Sequence, residues 1–282
     1  MATPSWSHSK LMDFEKCKKM FWLKHDQKIP EPERPLPPGK TEHANDRGTR
    51  VHQVCEDYVS GKLHELCPEA DKHFGPHLDL LRTMHKDGIV SLEGEWALNR
   101  SWESWAWSGD WLEIEEPEEL GLPITKVKAL PARGLLDVVY AIGQGRGKPA
   151  KHLIWEPPWL RMKLDAMVMH DETTATVIDY KTGRKFGNEV KHGEQLQIYQ
   201  LATFLRYPKL QTVHAELWYL DQDEITSQKF SRTMGLRYRE KFGKRGDALT
   251  SCEEFPANPN KFTCKWCQYG PWNGGQCTVG VR

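Results

Sequence analysis

Between Trp159 and Lys181 the chain has little choice of structure. The run W-L-R-M-K-L-D-A-M-V-M alternates with the period of a strand, H-D-E-T is turn material, and T-A-T-V-I-D-Y-K is rich in β-branched residues. Folded into a hairpin about Asp171 and Glu172, these strands set Asp165 opposite Ile178 or Asp179. Cross-strand neighbours lie about 4.5–5.5 Å apart at Cβ, so two carboxylates meet well away from the turn. Without a counter-charge the pair is repulsive, and one carboxyl must titrate high. A divalent cation would turn that penalty into a ligand set. Lys181 follows Asp179 by two residues and projects from the same strand face.

Two carboxylates and a lysine suit phosphodiester hydrolysis. A hard cation polarises a phosphoryl oxygen and acidifies water, while an ammonium orients that water or meets developing charge. Oxygen-rich ligation points to magnesium or manganese. The string D-x-K is common, however, and a solvated surface hairpin explains it equally well when it stands alone. Its companions in the chain decide.

Apolar spacing predicts a helix over Ser5 to about His25, a Pro-rich extended linker after it, and a second helix from about Asp46. In that second helix His52 and Glu56 stand one turn apart on a shared face. A further helix is expected over residues 70–88 and a strand over Ser91–Leu98. Residues 99–158 carry many Trp, Gly and Pro residues and read as an insertion. After the hairpin, E-V-K-H-G-E-Q-L-Q-I-Y-Q-L-A-T-F-L-R reads as a helix closed by Pro208, followed by the strand T-V-H-A-E-L-W-Y-L. On that helix Gln195 and Tyr199 face one side.

Taken together, Asp165, I-D-Y-K at 178–181, Q-L-Q-I-Y at 195–199 and the upstream G-T-R-V-H-Q-V-C-E (Gly48, His52, Glu56) resemble the PD-(D/E)XK nuclease superfamily in its RecB-like exonuclease branch. The motifs are short, but they fall in the family's order along the chain. The resemblance implies an α/β fold with a central mixed sheet flanked by helices, a restriction-endonuclease-like core, in a single nuclease domain over 1–282. It implies metal ligation by His52, Asp165, Asp179 and the carbonyl of Tyr180, with Lys181 as the catalytic lysine. Gln195 and Tyr199 would support the site and touch substrate. Glu95 corresponds to an acidic residue of some members, with Glu93 an equal candidate. Glu56 has the alternative of simply orienting His52, and Tyr199 that of ordinary core.

Seven cysteines, an odd number, make poor material for a disulfide framework. Cys264, Cys267 and Cys277 cluster in a Cys-rich segment, 250–282, and Cys17 lies in the first helix. One N-terminal and three C-terminal cysteines resemble the iron–sulfur staple of RecB-like and CRISPR-adaptation nucleases, which implies a [4Fe–4S] cluster packing this segment near the first helix. Four thiolates equally suit zinc, and a C-x-x-C pair without metal is a third reading.

Formal net charge is zero, which speaks against a protein that merely coats DNA, although an acidic metal centre can mask a basic groove in the total. Lys16–Lys19 and R-Y-R-E-K-F-G-K-R at 237–245 are the candidate phosphate contacts. Trp102, Trp105, Trp107 and Trp111 crowd a segment too acidic to read as a DNA groove. The expectation is a cytoplasmic, metal-dependent deoxyribonuclease, exonuclease before endonuclease, serving DNA recombination or repair beside a strand-annealing protein and capable of homo-oligomerising. Two rivals stay open: a CRISPR-adaptation type nuclease, and a non-catalytic nucleic-acid-binding module around a zinc or iron–sulfur site. The N-terminus carries no apolar signal region, and no run approaches the roughly 18 apolar residues of a membrane helix.

Overall fold

A computed structural model of the chain describes residues 5–33, 35–114, 138–141, 151–183 and 185–282, with the side chains of residues 93, 111–114, 138–141 and 151–155 outside that description. In chain order the elements are α1 (His8–Lys16), α2 (Lys18–Phe21), a π-helical turn (Trp22–Asp26), α3 (Ala44–Val59), α4 (Pro68–Lys86), β1 (Val90–Leu98), β2 (Ser104–Trp105) and β3 (Asp110–Ile114). There follow β4 (Val138–Ala141), β5 (Lys151–Glu156), β6 (Leu160–Met169), β7 (Thr174–Lys181), α5 (Glu189–Arg206), β8 (Thr212–Tyr219), β9 (Glu224–Ser231), α6 (Arg232–Leu236), α7 (Tyr238–Thr250) and α8 (Lys261–Cys264).

The expected hairpin is β6–β7, antiparallel, with Met169 opposite Ala175 and Ala166 opposite Ile178. Carried one step further, that register sets Asp165 against Asp179. The hairpin lies inside a six-stranded sheet of order β2-β1-β6-β7-β8-β9. Every pairing in it is antiparallel except β7–β8. A parallel pair needs a long crossover, and α5 supplies it across one face of the sheet. The sheet is therefore mixed and flanked by helices.

Two hydrophobic layers cover the sheet. On one side α5 (Leu196, Leu201, Phe204), α1 (Leu11, Phe14) and α7 (Phe242, Leu249) pack over Ala175, Val177 and Leu217. On the other, α3 (Val51, Cys55, Val59) and α4 (Phe74, Leu78, Leu81) pack over Ala166, Ile178 and Tyr180. Along β6 the buried residues change sides. Leu160, Met162 and Leu164 belong to the first layer, whereas Ala166 and Val168 belong to the second. Strict alternation would keep all five on one face; the change falls at Asp165. Its neighbour β1 changes sides in step, with Val90 in the second layer and Trp96 and Leu98 in the first. Gly94, paired with Leu164, sits between them, and a Cβ there would come 2.5 Å from the Trp96 indole nitrogen.

The N-terminus is stitched to the start of β6. Trp6 N–H donates to the Trp159 carbonyl (2.8 Å) and Arg161 N–H to the Trp6 carbonyl (2.9 Å). Trp6 and Trp102 each meet Trp159 edge-on, with centroids 5.4 and 5.1 Å apart. Gly246 lets α7 close on this cluster, since a Cβ there would lie 2.5 Å from the Trp6 indole nitrogen.

Two expectations need revision. The first helix does not run unbroken from Ser5 to His25: Cys17 is extended (φ −163, ψ 111) and separates α1 from α2. Residues 99–158 also reach into the main architecture, because β2 joins the six-stranded sheet and Trp102 lies in its core. The remaining described strands of that stretch form a separate three-stranded sheet, β3-β5-β4. The Cys-rich segment lies against the N-terminal helices: Lys19 N–H donates to the Pro256 carbonyl (3.2 Å) and the Tyr269 hydroxyl to the Ile29 carbonyl (2.8 Å). Among the described residues, no helix is long and apolar enough to cross a membrane.

Candidate active site

The ladder between β6 and β7 ends at Ala166–Ile178. Beyond it the Tyr180 N–H donates instead to Asp165 Oδ2 (2.5 Å), so a carboxylate takes the place of a strand. Asp165 Oδ1 meets His52 Nδ1 of α3 at 2.9 Å. Burial pushes the Asp165 carboxyl above its ordinary range; the His52 hydrogen bond opposes the shift and the charge of Asp179 adds to it. That is the penalty expected of two neighbouring carboxylates. His52 is affected conversely: burial would lower it, but the hydrogen bond and charge of Asp165, with the charge of Asp179, raise it overall.

Asp179 is 5% exposed. Its Oδ1 accepts from Gln195 Nε2 (3.0 Å) and the Tyr199 hydroxyl (3.1 Å), and Gln195 Nε2 also donates to the Tyr199 oxygen (2.6 Å). Asp179 Oδ2 is buried and ion-paired with the Lys181 ammonium. The sheet thus brings Asp165, Asp179 and Lys181 together, α3 adds His52, and α5 adds Gln195 and Tyr199. The Tyr180 side chain lies in the layer under α3 and α4, where its ring meets the His52 imidazole edge-on (5.8 Å between centroids), and its backbone borders the aspartates.

The position of α3 explains its glycine. Gly48 packs on the residue that follows Lys181, where a Cβ would lie 3.3 Å from Thr182 Oγ1. One residue earlier, the Arg47 guanidinium binds Asp221 through two nitrogens (2.9 and 2.7 Å) and also donates to the Thr182 carbonyl (2.9 Å). His52 is therefore carried on a helix pinned to the ends of β7 and β8. Glu56, one turn on, accepts from Gln53 of its own helix (3.1 Å). Glu95 is not drawn to the aspartates by any described contact. It pairs across from Lys163 and binds its ammonium (2.8 Å), while the register places position 93 opposite Asp165.

An open groove runs past Lys181, Gln195 and Tyr199, lined also by Lys10, Trp107, Arg161, Lys163 and Lys191. Arg161 and Lys163 lie over the Trp107 ring at 5.3 and 5.9 Å. Burial first, and then repulsion from neighbouring cations, lowers Lys10 and Lys191 below the usual lysine range. His8, also on the groove, is lowered to about 4, mainly by burial. These cations come from α1, β6 and α5, and sequence reading missed them because no local run contains them. The basic stretch at 237–245 is largely spoken for: Arg245 binds Glu15 and Glu194, Lys241 binds Glu194, and Lys244 binds Glu240. Lys18 and Lys19 lie over the rings of Phe14 and Trp22. Contrary to expectation, one residue of the Trp-rich segment, Trp107, faces the groove; the Trp111 side chain lies outside the described residues.

Cys17, Cys264, Cys267 and Cys277 all line one cavity, with Met20 and Leu23 on its wall. Burial raises the Cys267 thiol, and Cys277, Cys17 and Cys264 are each near enough to raise it further. Cys55 is buried under α3, and Cys252 lines neither site. Among the described residues, no three His, Cys, Asp or Glu side chains are gathered closely enough to hold a single ion as they stand. At the aspartates the reason is visible: His52 is turned to Asp165 and Lys181 to Asp179. The donor set nevertheless fits a hard divalent cation, with two adjacent carboxylates, that of Asp179 buried and that of Asp165 half-buried, and an imidazole beside them.

An acidic pair and a lysine at the parting of two strands, on a mixed sheet between helical layers, define a nuclease-type site. The chain belongs to the PD-(D/E)XK nuclease superfamily, whose family model matches residues 5–272. It is thus a nuclease of α/β fold, in a superfamily that typically uses divalent metals such as magnesium or manganese and whose membership implies a DNA substrate. No curated protein matches the chain. It is similar to a solved structure described as "Crystal structure of SSO0001", with 11% identity over 100% of this chain and 90% of that one and a TM-score of 0.35. A likeness that weak carries no argument.

Proposed function

We propose that the protein is a magnesium- or manganese-dependent DNA exonuclease of the RecB-like branch, serving recombination or repair. The observation that carries the reading is the pairing of half-buried Asp165 and buried Asp179 with Lys181 at the edge of a groove lined by cations. Asp165, Asp179, His52 and the Tyr180 carbonyl would hold the metal. When bound, it would polarise the phosphoryl oxygen and acidify water. The chain's own residues do the rest. Gln195 and Tyr199 hold Asp179 through Oδ1 and so fix the aim of Oδ2. Lys181 presents an ammonium where charge develops. Lys10, Arg161 and Lys191 supply the phosphate-binding field that a neutral net charge conceals.

The choice of branch rests on His52 and Glu56 of α3 and on Gln195 and Tyr199 of α5, and the cysteines are consistent with it. Four thiols around one cavity, too dispersed for a single ion as they stand, suit a polyatomic iron–sulfur cluster better than zinc. Such a cluster would serve to tie the chain ends together. A strand-annealing partner, a homo-oligomer and a cytoplasmic location belong to the same reading.

The test is cleavage of end-labelled linear and covalently closed circular DNA in magnesium, manganese or EDTA. Metal-dependent loss of linear DNA alone, abolished by Lys181→Ala, is the expected result. Cutting of circles would make the enzyme an endonuclease, and cleavage unchanged by Lys181→Ala would remove the proposed site.

A further inference from the structure

The Cys-rich segment carries a surface that shares no lining residue with the active-site groove. Phe262 and Trp266, beside Cys264 and Cys267, are 89% and 70% exposed, which is unusual for large aromatics. Next to them a shallow depression is lined by Lys261, Lys265, Trp266, Trp272, Asn273 and Arg282, with no acidic residue among its walls. Lys265 lies 5.0 Å from the Trp266 ring centre and Arg282 lies 5.8 Å from that of Trp272. Among the described residues, none of these three cations has a carboxylate partner. Trp272 is a fixed floor: a Cβ on Gly270 or Gly280 would come within 2.8 or 3.2 Å of its ring. Trp266 projects from the same depression.

Lysines and an arginine without carboxylate partners, beside the exposed Trp266 indole, match one chemistry, a phosphate backbone whose bases are free to stack. A duplex offers phosphates but hides its base faces. We propose that this patch is a second nucleic-acid site, which holds single-stranded DNA apart from the residues that cut it. The idea goes beyond the exonuclease reading and does not depend on it, because binding is measurable without cleavage.

The measurement is fluorescence anisotropy of a labelled oligothymidylate with the full-length protein in EDTA. Trp266→Ala should weaken binding about tenfold, and Trp266→Phe should recover most of it, because a stacking face remains. Lys261→Gln with Lys265→Gln should reduce the slope of log K against log salt by about 1 to 2. Neither change should alter kcat on saturating DNA, and matching thermal melts exclude misfolding. A duplex of equal length should be affected less than the single strand. Variants binding within about twofold of wild type would overturn the proposal. So would poly-glutamate competing as well as the oligonucleotide, or variants that change self-association while leaving DNA affinity intact. Binding lost in Trp266→Ala by a protein that cleaves nothing would retain this site and remove only the exonuclease reading.

Discussion

Tyr199 is buried, yet its hydroxyl is aimed at a carboxylate. A buried hydroxyl needs a partner, and here the partner is the Oδ1 atom of Asp179, shared with Gln195. Tyr199→Phe removes one of the two donors and keeps the ring that fills the core. The fold should lose only about 1 kcal/mol. Asp179, less firmly aimed, should bind metal more weakly, and partners one step behind a ligand typically cost about 10- to 100-fold. Magnesium titration of cleavage should show a rightward shift with little change in the melt; an unchanged magnesium dependence would make Tyr199 ordinary core. This part of the site was readable in the sequence because its contacts are short-range. Asp179 and Lys181 are two apart on a strand, and Gln195 and Tyr199 are four apart on a helix. Glu95 and Glu93 stayed equal candidates because the sequence shows acids on a nearby strand but not the register, which sets Glu95 beside Lys163.

At the scale of elements, α3 matters for where it is held. Its apolar face would pack onto the sheet in more than one orientation, and Arg47 with Gly48 selects one by fastening its first turns to Thr182 and Asp221. Arg47→Ala should cost about 1–2 kcal/mol, discounted because the pair is partly exposed. The loss in cleavage should exceed what that destabilisation explains, since the swing of α3 moves His52. Denaturant unfolding and cleavage rates measured below the transition separate the two effects; a proportionate loss would reduce Arg47 to a stabilising contact. Helices α3, α4 and α5 and strands β1, β6, β7 and β8 follow from apolar period, so their sequence reading needed only small adjustment, whereas α7 was read only as a basic stretch. β9 escaped it because an edge strand with a mostly exposed face leaves little hydrophobic pattern. The break at Cys17 escaped it because the flanking spacing is helical on both sides and only tertiary contacts demand the turn.

Across the whole molecule, the N- and C-terminal segments meet at the cysteine cavity, far from each other in sequence. Anaerobic treatment with iron and sulfide should give a visible chromophore in the wild type and not in Cys17→Ser, with increased protease sensitivity of residues 250–282 in the variant. A zinc-loaded, colourless protein would point to the alternative metal. The basic groove was hidden in the sequence for a related reason: Lys10, Arg161 and Lys191 are separated by most of the chain, and only the fold adds their fields. Trp6, stitched to Trp159 and Arg161 and closed over by Gly246, has a consequence for synthesis on the ribosome. Helix α1 is translated before the surfaces on β6, α5 and α7 that bury its Leu11 and Phe14. Until those have been translated, the nascent chain holds an apolar helix without a dock and an active centre that lacks its strands. Hydrolytic activity should therefore await the translation of β6, β7 and α5, and chaperone demand should be greatest before α7 is available to close the layer.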